Sequence, residues 1–331
     1  MRSRLPFVCL LTLLTGVAFV QAADVSMVNL LTADAKVVTG IDLDRSRNSP
    51  FGQFFLNQMT AQEEGLQKFI EMTGFDPRRD LQEIVIASTD GGMAMRSGAG
   101  AVMIVRGQFN PARILQLASA HGGPGLVTSY NGTQVIQTSR PASSASNKTD
   151  EVMWAGFLGN LLVAGPKASV QTAINRYRAA TKADAALAAR IQAASSRHDA
   201  WMLTTLSPAA LAGSVNNPNM QGAMRGDLMQ GIESMTAGVK FGANVVVSGE
   251  AMTRSDKDAT ALVDVMRFFS SMAQGNGAKT GAMGLLDAVE MNAEGRSVKF
   301  SLTAPAQEFE KLLGPSMNRM KGRVRNSTKL D

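Results

Sequence analysis

The pattern of apolar and polar residues divides the chain into short strand-like runs and longer amphipathic stretches. Runs that alternate in polarity, or that are rich in β-branched residues, predict β-strands. The clearest of these runs are Lys36 to Asp44, Ile84 to Ser88, Ala101 to Gln108, Asn244 to Glu250 and Ser297 to Thr303. The amphipathic stretches between them predict helices, so the chain is expected to mix both kinds of element along its length.

Proline marks the points where a predicted strand gives way to a predicted helix. Such junctions lie at Pro50, Pro111, Pro166, Pro208 and Pro305. Proline fits the first helical turn because the N–H that it lacks would have no partner there. Ser49, Asn110 and Ser207 precede three of these prolines and are typical N-cap residues. We therefore predict that helices begin at these junctions.

The predicted elements follow the same order twice. Residues 35 to about 195 read as strand, helix, strand, strand, helix, strand, strand and helix, and the second half repeats this order. In the second half the predicted strands begin near Trp201, Thr236, Asn244, Ala288 and Ser297. This order is typical of a split βαβ unit. We therefore predict an α+β fold of two repeated modules of split βαβ (ferredoxin-like) type, with antiparallel sheets and helices packed on one face.

The beginning of the chain predicts an export signal. Arg2 and Arg4 supply positive charge, and Leu5 to Val20 form an apolar stretch. Small residues typical of a cleavage site end at Ala22, so we expect cleavage before Ala23 and a periplasmic or secreted protein. The apolar stretch is shorter than the roughly 20 residues that cross a bilayer, and no membrane span is expected after cleavage.

Together these patterns divide the chain into four segments. The signal peptide covers 1–22, the first α+β module 23–196, the second α+β module 197–315 and a basic flexible tail 316–331. Asp184 to Ser196 is rich in alanine and predicts a short helix that bridges the modules. The only cysteine, Cys9, lies in the signal peptide, so the mature chain is expected to form no disulfide and no thiolate metal site.

The charge of the chain is mildly positive. It carries 33 Lys and Arg against 27 Asp and Glu, and loss of Arg2 and Arg4 with the signal peptide lowers the formal excess from six to four. Several of the basic residues belong to the tail, namely Arg319, Lys321, Arg323, Arg325 and Lys329. No aromatic residue accompanies them, whereas surfaces that bind nucleic acid combine basic and aromatic side chains. Nucleic acid is therefore not expected as a partner; a solvated tail and contact with an anionic surface both stay open.

Familiar catalytic motifs do not occur in the sequence. The only histidines are His121 and His198, so no H-E-x-x-H zinc motif can be formed, and the mature chain contains neither G-x-S-x-G nor S-x-x-K. His198 precedes Asp199, but neighbouring strand residues point to opposite faces of a sheet. We therefore predict a structural or surface histidine and favour a non-enzymatic protein without a cofactor or metal.

Two carboxylates on the first predicted strand are the strongest acid–base candidates. Asp42 and Asp44 are two residues apart and would share one face of the strand. Paired carboxylates suit acid–base catalysis or a hard cation. The alternative, which we favour, is that they lie at the end of the strand, either solvated or paired with Arg45 and Arg47.

Methionine is over-represented, with 20 in the chain. A group in the second half, Met220, Met224, Met229 and Met235, predicts a ligand or partner surface. Flexible thioether side chains adapt to apolar partners and also bind Cu(I). Neither histidine is near these methionines in sequence, so an apolar groove or interface is favoured over copper.

Three hypotheses for function follow from these patterns. The first is an exported, non-enzymatic binding or interaction module that contacts a protein partner. The second is a periplasmic carrier or sensor of an apolar ligand, held between the modules or under the segment from Met220 to Met235, because ligand clefts are common at domain interfaces. The third, least favoured, is a hydrolase that uses Asp42 and Asp44. The oligomeric state stays open.

Overall fold

The computed structural model describes residues 23–59, 63–89, 100–121, 126–140, 151–211, 227–275 and 288–311. These residues form a mixed α+β protein with one antiparallel sheet of twelve strands. The strands are β1 (Val37–Asp42), β2 (Leu81–Ser88), β3 (Ala101–Gly107), β4 (Val127–Tyr130), β5 (Thr133–Arg140), β6 (Glu151–Leu158), β7 (Leu161–Pro166), β8 (Ala200–Thr204), β9 (Ile232–Lys240), β10 (Asn244–Thr253), β11 (Val289–Glu294) and β12 (Ser297–Pro305). Their order across the sheet is β11-β12-β10-β9-β8-β1-β2-β3-β7-β6-β5-β4.

Helices connect many of the strands. They are α1 (Val25–Val28), α2 (Leu43–Ser46), α3 (Pro50–Met59), α4 (Glu63–Thr73), α5 (Pro77–Asp80), α6 (Pro111–His121), α7 (Lys167–Arg178), α8 (Ala185–Arg197), α9 (Pro208–Leu211), α10 (Asp227–Gln230) and α11 (Asp256–Gly275). Residues 306–311 are also helical. The helix predicted from Asp184 to Ser196 is confirmed as α8, and the helix predicted to begin at Pro50 is confirmed as α3.

Three of the predicted helix starts are confirmed together with their caps. The Gly52 N–H donates to Oγ of Ser49 at 2.9 Å, ahead of α3. The Arg113 N–H donates to Oδ1 of Asn110 at 3.1 Å, and the Ala210 N–H to Oγ of Ser207 at 3.3 Å. These bonds satisfy backbone donors that have no partner in the first helical turn. Pro166 and Pro305 differ, because each is the last residue of a strand and its helix begins one residue later.

The two halves of the chain meet at the antiparallel pair of β1 and β8 in the middle of the sheet. Counted outward from β1, the strands of the first half are β2, β3, β7 and β6. Counted outward from β8, those of the second half are β9, β10, β12 and β11. In both halves, the second and third strands therefore follow the first in chain order. The last two strands come next in the reverse of their chain order, with β7 before β6 and β12 before β11. The first half continues with β5 and β4.

The ferredoxin-like layout of the modules is not confirmed. A split βαβ unit leaves room for another strand between the two strands that a helix joins. The pair of β10 and β11 has this arrangement, since α11 joins them and β12 lies between them. By contrast, β1 and β2 are direct antiparallel neighbours, and so are β8 and β9. The structure also contains one continuous sheet where the sequence led us to expect separate ones.

The main core lies on the face of the sheet that α1, α7 and α8 cover, here called the α7/α8 face. It includes side chains from β1, β2, β3, β7 and β8, since Val38, Val85, Ile104, Val163 and Leu203 are all buried in it. Strand residues at every second position share this face, so the alternating register keeps the row continuous across the seam between the halves. One core therefore serves strands of both halves.

Helices also cover parts of the opposite face, so the prediction that helices pack on one face only is wrong. Ala251 and Val298 point away from the α7/α8 face and pack with Ala259 and Leu262 of α11. The sequence did carry a sign of this, because apolar residues occur on both faces of inner strands such as β2. Strands with both faces apolar are normally covered on both sides.

The segment that follows the predicted cleavage site is part of the main core. Met27 and Leu31 are fully buried, and the Ala23 N–H donates to Oγ of Ser195 at 2.9 Å. The chain contains one cysteine, Cys9, and no disulfide. Across the described ranges, none of the helices has the length and apolar character needed to cross a membrane.

Candidate binding sites on the two faces of the sheet

An apolar depression, here called the sheet trough, lies on the face opposite α7 and α8, at the seam between the halves. Its volume is about 400 Å³. Strands β2, β1, β8, β9 and β10 form its floor, and the side chains that line it include Thr39, Ile41, Ile84, Ile86, Met202, Val239 and Val247. No charged side chain belongs to its described lining. Such a surface can hold an apolar molecule but offers little to a charged one.

The register of the strands gathers these side chains. Ile41 pairs with Ile84 and Thr39 with Ile86 across the β1–β2 ladder. On the other side of β1, Thr39 pairs with Met202. All of these side chains keep partial exposure to solvent. Side chains at directly paired positions lie on the same face, so the apolar surface is continuous across the seam.

Aromatic side chains close one end of the sheet trough. Val239 and Val247, which line the trough, also pack against a cluster around Phe51 of α3. The ring centroid of Phe51 lies 5.3 Å from that of Phe241 and 6.1 Å from that of Phe309. The trough therefore has an apolar, partly aromatic wall where α3 meets β9 and β10.

A second depression, here called the polar groove, lies on the α7/α8 face beside α8. Its volume is about 460 Å³. The charged and polar side chains that line it include Arg190, Arg197, His198, Ser248, Glu250 and Lys299. The two arginines come from α8, seven residues apart, and therefore lie on one side of that helix.

A histidine from the end of α8 and a serine from β10 meet in the polar groove. The Nδ1 atom of His198 lies 2.9 Å from the carbonyl oxygen of Ala194, and Nε2 lies 2.9 Å from Oγ of Ser248. Burial lowers the pKa of the imidazole because the charged form loses hydration. A carbonyl oxygen only accepts, so Nδ1 of the neutral ring carries the hydrogen and Nε2 accepts the Ser248 hydroxyl hydrogen.

The charges of the polar groove are unevenly paired. Lys299 forms an ion pair with Glu294, and Glu250 accepts a hydrogen bond from the Ser297 hydroxyl. Arg190 and Arg197 make no hydrogen bond or ion pair with the residues that the structure describes. Both guanidinium groups are thus available to an anion that enters the groove.

The carboxylates Asp42 and Asp44 do not form the shared strand face predicted from their spacing. β1 ends at Asp42, which caps α2 by accepting the Arg45 N–H at 2.9 Å, and Asp44 is already helical. The expected pairing with arginine is confirmed, because Asp42 binds Arg45 and Asp44 binds Arg47. Throughout the described part of the chain, no three His, Cys, Asp or Glu side chains are grouped so that they could hold a metal ion.

His198 and Asp199 have different partners, but the prediction that they are neighbours on a strand is wrong, because α8 ends at Arg197 and β8 begins at Ala200. Oδ2 of Asp199 accepts the Phe241 N–H at 2.6 Å, and Oδ1 lies 3.5 Å from Nε of Arg45. Asp199 is therefore a buried structural acid. The partner of His198 is Ser248, which lies 50 residues further along the chain. No sequence motif connects such distant positions, so sequence reasoning missed this pair.

The methionines flagged in the sequence lie elsewhere. Met229 and Met235 are partly buried and pack beneath α11, against the cluster of Ile232 and Ala251. Met220 and Met224 fall outside the described residues. Met202, which the sequence analysis did not select, is the methionine that lines the sheet trough. The sequence feature that could have indicated the sheet trough is the unbroken apolar run from Ile84 to Ala87, which predicts a strand with two apolar faces.

Comparisons of the chain with models of known protein families, with curated proteins and with solved structures find no match. The assignment of a function therefore rests on the two depressions and their chemistry.

Proposed function

We propose that this protein is an exported binding protein that holds an apolar small molecule in the sheet trough. The observation that carries the proposal is the lining of the trough, which is apolar, partly exposed and continuous over five neighbouring strands. Its volume of about 400 Å³ lies within the range of small-molecule pockets. Removal of this surface from water supplies the driving force for binding.

The occupant is expected to be a compact molecule with few polar groups. A peptide that added itself as a strand would need free backbone donors and acceptors. The floor strands of the trough, from β2 to β10, each have hydrogen-bonded neighbours on both sides. Thr39 offers the hydroxyl group of the lining, and Met202 offers a polarizable thioether. Dispersion and burial of apolar area therefore dominate recognition.

Export and duplication complete the proposal. The features of the signal peptide support cleavage before Ala23, and the burial of Met27 and Leu31 supports a mature chain that folds after this cleavage. The matching strand orders outward from β1 and β8 support an origin by internal duplication. Under this proposal the ligand lies on the seam between the two copies.

Titration with a fluorescent apolar probe, N-phenyl-1-naphthylamine, tests the proposal. Ala237→Trp places an indole in the trough and is expected to weaken probe binding at least about tenfold. Ala186→Trp on the exposed side of α8 is the matched control and should bind as the natural chain does. Met202→Lys puts a charge in the same place and is expected to weaken binding as well.

Equal binding by all four proteins would overturn the proposal, since the trough would then play no part in it. Native mass spectrometry adds an independent measurement. A copurified small molecule should leave the natural chain on denaturation and be absent from Ala237→Trp. If it is retained by that variant, it is bound somewhere other than the sheet trough.

A further inference from the structure

The Ser248 hydroxyl is held in the orientation of a nucleophile. Its hydrogen is engaged by Nε2 of His198 at 2.9 Å, so its oxygen presents only lone pairs to the polar groove. A serine held in this way is a poor donor to a bound anion. It can instead attack an electrophilic carbon while the imidazole takes up its proton.

The imidazole is held by a third group. The Ala194 carbonyl accepts from Nδ1 at 2.9 Å and fixes both the tautomer and the ring plane. A serine, a base within hydrogen-bonding distance and a group that orients the base form the general arrangement of an activated nucleophile. Here a backbone carbonyl occupies the position that a carboxylate holds in the Ser-His-Asp arrangement.

The surroundings favour an anionic substrate. Arg190, Arg197 and Lys299 line the groove against one carboxylate, Glu250, and the two arginines have no ionic partner among the described residues. A groove with excess positive charge raises the local concentration of anions and stabilises negative charge that develops during a reaction.

We propose that Ser248 and His198 form an acyl-transfer site for small esters that carry an anionic group. Ser248 Oγ attacks the ester carbonyl carbon and His198 Nε2 takes the hydroxyl proton. The bond from carbon to the leaving oxygen then breaks, and the alcohol leaves with the proton from Nε2. Water attacks the acyl-serine, passes a proton to Nε2, and releases the acid as Oγ recovers its hydrogen. The reaction consumes one ester and one water and needs no oxidant or reductant.

The proton state of the base agrees with this role. Burial lowers the pKa of His198, as does the charge of Arg197 and Arg45, whereas its bond to Ala194 and the charge of Asp199 act in the opposite direction. The imidazole is therefore neutral at pH 7 and ready to accept a proton.

The site lies on the opposite face of the sheet from the trough, so it stands or fails independently of the proposed ligand.

Covalent labelling of the folded mature protein with a fluorophosphonate, followed by peptide mapping, tests the nucleophile. We expect one adduct, on Ser248. His198→Gln should lower the labelling rate at least about 100-fold while leaving the hydroxyl in place. Ser301→Ala is the matched control, because Ser301 on β12 pairs directly with Ser248 on β10. In this variant Ser248 should be labelled at the rate of the natural chain.

The mapping of the natural chain decides the proposal even where a variant fails to fold. Absence of an adduct on Ser248, or equal adducts on several serines, would overturn it. So would an unchanged labelling rate in a His198→Gln protein that melts like the natural chain, since Ser248 would then react without the base.

Two chromogenic esters test the substrate class. The mono-4-nitrophenyl ester of succinic acid carries a carboxylate, whereas 4-nitrophenyl acetate carries no charge. Arg197→Ala should lower kcat/KM about tenfold more for the charged ester than for the neutral ester. Equal effects on both esters would contradict a role of Arg197 in charge recognition, and hydrolysis that survives Ser248→Ala would place the activity elsewhere.

Discussion

The imidazole of His198 lies over Gly238, and a Cβ at position 238 would come within 2.3 Å of Cγ of His198. Gly238 pairs with Trp201 on one side and with Ser248 on the other. Because Gly238 has no side chain, the His198 ring can lie across β9 and reach Ser248 on β10. Gly40 makes the same kind of space for the Trp201 indole, which lies 2.3 Å from the position of a Cβ there. The two glycines thus leave space for two rings to lie against the sheet, the Trp201 indole on β8 and the His198 imidazole just before β8.

Gly238→Ala is expected to force the His198 ring off the sheet. Overpacking of this kind costs about 1 to 3 kcal/mol of the free energy of unfolding. Urea unfolding followed by circular dichroism measures the loss. Fluorophosphonate labelling of Ser248 should fall with it, because the ring can no longer reach the hydroxyl.

The double variant Gly238→Ala with His198→Ala supplies the control. Removal of the ring relieves the clash, so the combined loss should be smaller than the sum of the two single losses. If the losses in the free energy of unfolding are additive, the added methyl group disturbs the sheet itself and does not clash with the imidazole.

The pH dependence of stability is expected to report His198. Its pKa is lowered from 6.5 in the folded protein by burial, so the unfolded chain takes up the proton at a higher pH. The free energy of unfolding therefore falls as the pH drops through 6.5 and levels off once the folded ring is also protonated. The slope is at most about 1.4 kcal/mol per pH unit for one proton.

Urea titrations between pH 7.5 and 5.5 measure this slope. His198→Gln should flatten it, whereas His121→Gln, which removes the other histidine, should keep the contribution of His198. Glu83 acts with the opposite sign at pH values above 4.5, because burial raises its pKa. A slope that persists in His198→Gln would assign the effect to another group.

Arg45 is expected to be the most important charged residue at the seam of the sheet. Its Nε lies 2.8 Å from Asp42 and 3.5 Å from Asp199, and its Nη2 donates to the carbonyl oxygens of Ser195 and His198. Both carboxylates are nearly buried, so Arg45→Ala leaves them without a cation. Loss of one partner of a buried ion pair costs about 3 to 5 kcal/mol.

A surface pair gives the comparison for Arg45. Arg254 and Asp258 are one turn apart on the surface at the start of α11. Arg254→Ala should change the free energy of unfolding by under about 1 kcal/mol. Equal losses for the two arginine variants in urea unfolding would contradict a special role of the seam.

The local structure of the chain could be predicted where short-range chemistry decides it. Ser49 and Asn110 beside proline marked the starts of α3 and α6, because capping bonds and the fixed φ of proline act within a few residues. β10 follows β9 as a hairpin, but the approach of Ser248 to His198 also depends on the pairing of β9 with β8, whose partners, such as Val239 and Ala200, lie far apart in the sequence. Polarity patterns carry no information on such partners.

The apolar surface of the trough could not be predicted from the sequence for a related reason. Ile84 and Ile86 alternate with Val85 and Ala87, and the sequence gives all four the same apolar character. The packing of α1, α7 and α8 decides that Val85 is buried in the core while Ile84 stays partly exposed. For Asp42 and Asp44, strand alternation was the wrong rule because the capping bond of Asp42 ends the strand.

The two halves are expected to depend on each other for folding. A fragment of residues 23–196 retains β1 but lacks Trp201 and Leu203, which belong to the same buried core as Val38. Alone it should show no cooperative thermal unfolding by circular dichroism. Mixed with residues 197–331, it should recover a transition near that of chain 23–331. A cooperative transition of the first fragment alone would make it an independent domain.

Among the strands that the structure describes, β4 and β11 are the two edges of the sheet. An unpaired edge is a template on which another chain can add strands and begin an aggregate. β4 is only four residues long, and β11 carries Glu290 and Glu294. A short edge offers few hydrogen bonds to an incoming strand, and two acidic edges repel each other. A sheet of twelve strands is thus expected to resist the addition of further strands that would extend it into a fibril.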